Sequence, residues 1–271
     1  MQPANSGGRV ERLVRHDRQI VIAATGLIFL LAALYTYFGV GMSMTAADMT
    51  RMAGPIGDPM SMGQQPVWSL SYAVLMFFMW WIMMIAMMTP SAAPMLLLYT
   101  ALKKRGPESD KAVMLSLVFL SGYLAAWGAF SFVATGLQWA TEATGLSDGP
   151  MMTLKSRPVA GAVLLLAGIY QFTGLKEACL RHCRSPAQFL ADHARPGAVG
   201  AFRTGAHHGL YCLGCCWALM ALLFVGGIMN LYWIVGLALY VLAEKILGAG
   251  QTFTRVTGGV LVCFGLFVAF T

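Results

Sequence analysis

The chain of 271 residues is too apolar for a protein that folds in water. Hydrophobic residues make up 58% of it and charged residues 11%, with a mean hydropathy of +0.68, whereas a soluble domain carries roughly 25% charged residues. The apolar residues come in long runs, and a bilayer core about 30 Å thick is crossed by about 20 helical residues. The sequence therefore predicts an all-α fold, a polytopic transmembrane helical bundle.

Seven apolar segments are predicted to cross the bilayer. They cover residues 19–41, 67–100, 112–135, 158–175, 207–227, 230–247 and 256–271. The first segment is longer than the apolar region of a signal peptide, which has about 7 to 15 residues, so we expect it to be retained. The predicted domains are a basic leader over residues 1–18 and one transmembrane helical domain over residues 19–271.

The basic residues lie mostly between the predicted spans. Fifteen Lys and Arg residues fall on one predicted side of the membrane and three on the other. The positive-inside rule places the richer side, with the N-terminus, in the cytoplasm, and we expect a multi-pass protein of the bacterial inner membrane. The net charge of +7 is thus a topology signal, and the absence of interleaved basic and aromatic residues argues against nucleic-acid binding.

Methionine is concentrated in the first outer loop and in the second span. The loop over residues 42–66 has six methionines among Gly, Pro and Asp residues, and we expect it to be exposed and flexible. In the second span a ladder of thioethers follows helical spacing: Met76, Met79, Met83 and Met87, with a second pair at Met84 and Met88. Thioethers are soft ligands that favour Cu(I), so the ladder could be an ion path, although methionine also simply fills gaps between helices.

Five of the six cysteines fall in two clusters. Cys179 and Cys183 lie one helical turn apart in the predicted cytoplasmic loop 176–206, and the second cluster comprises Cys212, Cys215 and Cys216. His208 extends the face of the second cluster by one turn. Both clusters are predicted at the cytoplasmic face, where thiols stay reduced, which favours a shared metal ion over a disulfide. Inert packing is the alternative, and for Cys263, alone in the last span, it is the favoured one.

Glu244 is the one acidic residue at or within a predicted span. Ionisable groups at such a depth are functional candidates. Glu244 could bind the metal, could accept a hydrogen bond from a ligand, or could pair with Lys245 or another cation.

Several segments resemble blocks of a known family. They are MWWIMMIAMMTPSAAP, the stretch from Tyr170 to Pro186, GLYCLGCCWALM, GGIMNLYW and AEK, and they are similar to a bacterial family of predicted metal-binding integral membrane proteins, a domain of unknown function. The resemblance implies a multispan helical fold and a bound metal. It carries the family's cysteine motifs onto Cys179, Cys183, Cys212 and Cys215 and its acidic–basic pair onto Glu244 and Lys245.

These patterns together predict a membrane protein that handles Cu(I), with zinc as the alternative metal. The outer methionines would capture the ion and the cytoplasmic thiols would hold it. The candidate metal ligands are Cys179, Cys183, Cys212, Cys215, His208, Cys216, Glu244, Met83, Met87, Met84 and Met88. The expected partners are the lipid bilayer, the metal ion, and a larger membrane complex or a metallochaperone.

Two other functions stay open. The chain could be a non-catalytic accessory subunit of a larger membrane complex, such as a copper enzyme, or a thiol–disulfide oxidoreductase. No hydrolase or nucleotide-binding motif is present, and this favours a protein that is not an enzyme.

Overall fold

The computed structural model describes residues 6–56, 67–148, 152–246 and 250–271, with side chains in the first helix from residue 17 onward. Helices make up 83% of the structure, which confirms the all-α prediction. Met60 and Met62 of the predicted outer loop lie outside the described residues.

The described helices follow the predicted order. They are α1 (Ser6–Phe38), α2 (Ala46–Arg51), α3 (Leu70–Arg105), α4 (Ala112–Ala143), α5 (Arg157–Tyr170), α6 (Gly174–Arg184), α7 (Pro186–His193), α8 (Gly197–Ala221), α9 (Leu223–Gly226), α10 (Leu231–Ile246) and α11 (Gly250–Phe270). A short antiparallel pair, β1 (Ser147–Asp148) and β2 (Thr153–Leu154), follows α4.

Among the described residues, five helices are long and apolar enough to cross a membrane. They are Asp17–Phe38, Leu70–Arg105, Ser109–Ala143, Gly197–Gly226 and Gln251–Phe270. A sixth crossing is reached if α5 and α6, which are bent by 64° relative to each other, act as one span. Even six crossings are one fewer than the predicted seven. The missing one is the predicted span 230–247, because α10 has 16 residues, or about 24 Å of helix, and is shorter than a bilayer core.

Segments that the charge pattern predicts on the outer side of the membrane contact one another. At the end that carries the predicted outer loops, the backbone N–H of Leu231 donates to the Thr50 hydroxyl at 2.9 Å. The Trp68 indole N–H donates to Glu142 at 2.7 Å. These two contacts join segments that are far apart in the sequence, so the outer ends of the helices form one layer.

The opposite end is joined by ion pairs. The Lys104 ammonium lies 2.5 Å from the Asp17 carboxylate, which ties α3 to α1. Glu108, between α3 and α4, accepts from the Lys103 ammonium at 2.6 Å and from the backbone N–H of Gly197 at 2.8 Å. The start of α8 is therefore fixed to the turn between α3 and α4.

Glycines let α4 and α8 pack backbone against backbone. A Cβ added to Gly205 would lie 1.9 Å from the Phe119 carbonyl oxygen, and one added to Gly122 would lie 2.1 Å from the Phe202 carbonyl oxygen. Small residues at such crossings allow close van der Waals contact between helices in lipid. Close packing against α4 therefore fixes the position of α8, the helix that carries the second cysteine cluster.

We predict that Gly205→Ala destabilises the protein by about 1–3 kcal/mol, because the new methyl group must displace the α4 backbone. Gly236→Ala on α10 is the matched control. A Cβ there meets no atom within 4 Å, so this change should be neutral or stabilise the helix by up to about 1 kcal/mol. Thermal unfolding in mild detergent measures both, and equal midpoints for the two variants would contradict the close packing.

A second prediction concerns the contribution of Glu108 to stability and its dependence on pH. Hydrogen bonds from the Lys103 ammonium and from the Gly197 backbone N–H hold the pKa of Glu108 below its usual value of 4.5. A lowered folded-state pKa stabilises the fold above the unfolded value, and this contribution is lost as the pH falls through the folded pKa. Glu108→Gln should therefore lower the melting temperature at neutral pH, and the difference from wild type should shrink in acid.

The measurement is the melting temperature of both proteins from about pH 7 to about pH 3. Asp110→Asn, which removes an exposed carboxylate two residues further on, is the control for general charge effects. A gap between wild type and Glu108→Gln that stays constant with pH would contradict the assignment.

Candidate metal centre

A sharp bend brings α6 against α8. Thr173 caps the start of α6, where its hydroxyl accepts from the Lys176 backbone N–H at 3.3 Å. The Tyr170 hydroxyl, at the end of α5, donates to the carbonyl of Gly214 in α8. A Cβ at Gly214 would lie 2.6 Å from the Cys179 sulfur, so the absence of a side chain there lets α6 lie along the cysteine-bearing face of α8.

The two cysteine clusters meet at this contact. The Cys183 side chain, on α6, lies close enough to those of Cys212 and Cys215, on α8, to interact with them. The thiols of Cys215 and Cys216 donate to the Cys212 carbonyl at 3.0 and 2.9 Å. Cys212, Cys215 and Cys216 are fully buried. Cys179 is half-buried beside them, whereas Cys263 is exposed on α11.

Cys212 also contacts a buried lysine and a tyrosine. The Lys245 ammonium lies 2.8 Å from the Cys212 sulfur and donates to the Ser91 hydroxyl at 3.1 Å. The Tyr123 hydroxyl lies 3.1 Å from the same sulfur. A cation at this distance stabilises a negative charge on the sulfur, especially where water is excluded. Neither residue is among the predicted metal ligands, although the family resemblance does mark Lys245 as part of an acidic–basic pair.

His208 adds a nitrogen next to the thiols. Its side chain is 3% exposed, and its ring stacks on the ring of Tyr123 with centroids 5.5 Å apart. The ring Nδ1 is buried and has no hydrogen-bond partner, which is rare for a buried polar atom. Because Cys212 follows one helical turn later on α8, the His208 ring lies next to the sulfur cluster.

Glu244 belongs to a separate polar network. Its carboxylate pairs with the Lys176 ammonium at 2.8 Å and accepts from the hydroxyls of Thr254 at 2.9 Å and Tyr240 at 3.1 Å. The Arg184 guanidinium donates to the Glu244 backbone carbonyl. Of the alternatives that the sequence left open, the structure shows an ion pair with a cation other than Lys245. The pair ties the end of α10 to α6.

The methionine ladder runs through the core towards the thiols. Met83, Met84 and Met88 are fully buried and Met87 is 2% exposed. Near the other end of the ladder the Gln138 amide contacts the sulfur of Met76 at 3.4 Å. From Met76 to Met88 the helix rises about 18 Å.

The two ends of the ladder differ in their surroundings. The Met88 carbonyl accepts from the Tyr123 hydroxyl at 3.3 Å, so the inner end is one side chain away from Cys212. At the outer end, the segment predicted to be a flexible loop contains α2, and its Met49 is 1% exposed. At least part of the outer segment is therefore packed against the bundle.

The cysteines lie deeper along α8 than the predicted span indicates. The helix begins at Gly197, ten residues before the predicted start at residue 207, so Cys212 lies about 22 Å from its first residue. Within the described ranges, no three His, Cys, Asp or Glu side chains stand ready to hold a metal ion. The thiols of Cys215 and Cys216 instead donate to the Cys212 carbonyl, so a thiol must lose its proton before it binds a metal as a thiolate.

We predict that Glu244→Gln costs about 3–5 kcal/mol of stability, because it leaves the fully buried Lys176 ammonium without a counter-charge. The double change Lys176→Met with Glu244→Leu removes both charges and should cost less than Glu244→Gln alone. Thermal unfolding of the three proteins in detergent tests this. A double variant that is less stable than Glu244→Gln would contradict the account of the buried pair.

The comparison with protein families gives one match. The family model PpoB2, described as a copper chaperone, matches residues 77–268, which is well over half of the chain. The match takes in the ladder from Met79 onward, both cysteine clusters and Lys245, but not the outer loop 42–66. No curated protein matches the chain, and no solved structure does. The extent of the family match shows that the chain belongs to the PpoB2 family of copper chaperones.

Proposed function

We propose that this chaperone carries Cu(I) within the membrane on the sulfur atoms of Cys183, Cys212 and Cys215. The observation that supports this most directly is the meeting of these three thiols, from α6 and α8, beside the Lys245 ammonium. Thiolates are soft ligands that select Cu(I) over hard cations. Cys179, Cys216 and His208 lie close enough to exchange with these ligands as the ion enters or leaves.

The charge balance favours Cu(I) over a zinc site with four thiolates. If two of the three sulfurs are thiolates and the third stays a thiol, one Cu(I) gives the centre a net charge of −1, which the single Lys245 ammonium neutralises. A structural zinc site with four thiolates would carry −2, and a buried excess charge is costly. In this proposal Glu244 is a positioning residue, because its pair with Lys176 fixes the end of α10 and with it the neighbouring Lys245.

The methionine ladder is the proposed route to this centre. The ladder begins with Met76 and Met79 near the outer end of the bundle. It continues through the buried Met83, Met84, Met87 and Met88 to the tyrosine that contacts Cys212. We further propose that the chain resides in the inner membrane with its N-terminus in the cytoplasm, since the positive-inside rule fits the end that carries Lys103, Lys104 and Arg105. Copper then moves from the outer end towards the thiols.

The test is the affinity of the purified full chain for Cu(I) in mild detergent under reducing, anaerobic conditions. Affinity is read by competition with a chromophoric Cu(I) chelator. Cys212→Ser should weaken binding by more than about 100-fold and Lys245→Leu by about 10–100-fold, the usual effect of a residue that supports the ligands. Cys263→Ser is the matched control and should bind as the wild type does.

Three results would contradict the proposal. Cys212→Ser could retain the wild-type affinity, the wild type could bind Zn²⁺ in preference to Cu(I), or the wild type could bind no metal. Isolation without metal but with a second membrane protein at fixed stoichiometry would favour an accessory subunit instead.

A further inference from the structure

A cavity of about 260 Å³ opens beside the bend between α5 and α6. Its lining includes Gln171, Thr173, Arg181, Arg184 and Arg255, so it lies between the start of α6 and the first turns of α11. The space is several times that of a water molecule, which occupies about 30 Å³ in the liquid. The cavity is separate from the thiol cluster, because none of the six cysteines lines it.

The cavity carries an excess of positive charge. Three arginines line it, against one carboxylate, Glu177, which already accepts from the Gln251 amide. Arg184 uses its Nε and one Nη on the Glu244 carbonyl and retains its other Nη. Within the described part of the chain, the guanidinium groups of Arg181 and Arg255 have no hydrogen-bond or ion-pair partner. The charge of Lys176, which also lines the cavity, is balanced by Glu244.

A buried amide supplies a donor without a partner. Gln171 is 4% exposed, and its amide oxygen accepts from the Lys176 ammonium. An ammonium group can only donate, so the amide oxygen must face it and the NH₂ group must point away. That nitrogen, Nε2, is buried and has no hydrogen-bond partner. This unpaired donor belongs to a residue that lines a cavity rich in cations, and buried donors are rarely left unpaired.

We propose that this cavity binds a phosphate group, carried by the head group of an anionic phospholipid. Phosphate oxygens accept from guanidinium groups in paired geometry and would also satisfy Gln171 Nε2. Basic pockets between transmembrane helices are suited to anionic lipid head groups. Phe172, which lines the same cavity and is 53% exposed, offers an apolar surface for the chains of such a lipid.

The test uses the full-length protein, purified in a neutral detergent and freed of lipid. Thermal stabilisation is measured with phosphatidylglycerol, with phosphatidylcholine and with inorganic phosphate, and apparent affinities come from its concentration dependence. The test variant is Arg181→Gln with Arg255→Gln. Both side chains are exposed, and the fold does not depend on them. Arg203→Gln, an exposed arginine of α8 outside the cavity, is the matched control.

Phosphatidylglycerol should stabilise the wild type and the Arg203→Gln protein equally. Its affinity should be at least about tenfold weaker in the double variant, which loses the charge-assisted hydrogen bonds of two guanidinium groups. Phosphatidylcholine should have little effect. Stabilisation by inorganic phosphate to the same extent as by phosphatidylglycerol would overturn the lipid assignment in favour of a free anion. Equal stabilisation of the double variant and of the Arg203→Gln control by phosphatidylglycerol would overturn the proposed binding site. Copper is absent from these measurements, so their outcome is independent of the copper proposal.

Discussion

The hydrogen bond between the Lys245 ammonium and the Cys212 sulfur is the interaction on which the candidate centre depends. An ammonium group away from water is stable only beside a negative or strongly polar partner, and Lys245, which is 9% exposed, finds the Ser91 hydroxyl and this sulfur. A buried cation beside the thiols stabilises their ionised form. It also sets how much negative charge a metal complex can carry there.

A second buried pair keeps the first in place. Lys176 and Glu244 are both fully buried, and they connect the bent helix α6 to the end of α10. Because Glu244 and Lys245 are consecutive residues on a helix, their side chains point about 100° apart. One therefore reaches the polar network at α6, while the other reaches the thiols of α8. Two neighbouring residues thereby bring three helices together around the cysteines.

The sequence could predict the order of the helices and the two ends of the bundle, since long apolar runs and the distribution of Lys and Arg report directly on both. It could also predict that the two cysteine clusters approach each other, because the first lies in the inner loop 176–206 and the second lies at the start of the span that follows this loop. It could not predict the 64° bend after Tyr170, which depends on contacts of α6 with α8.

The roles of individual charged residues were also beyond the sequence. Lys176 begins the predicted cytoplasmic loop 176–206, yet it is buried in an ion pair with Glu244. This partner lies 68 positions further along the chain, so the sequence near Lys176 gives no sign of it. Periodicity alone does not say which of Glu244 and Lys245 faces which neighbour. Tyr123 could not be distinguished from other aromatic residues of an apolar helix.

The copper-chaperone family and the packed thiols converge on one claim, that sulfur atoms from α6 and α8 together bind the ion. X-ray absorption at the copper edge, on the full chain loaded with one equivalent of Cu(I), tests it most directly. The account predicts a first coordination shell dominated by sulfur that loses sulfur in both Cys183→Ser and Cys212→Ser. A shell made of nitrogen and oxygen alone, or one that neither substitution changes, would contradict it.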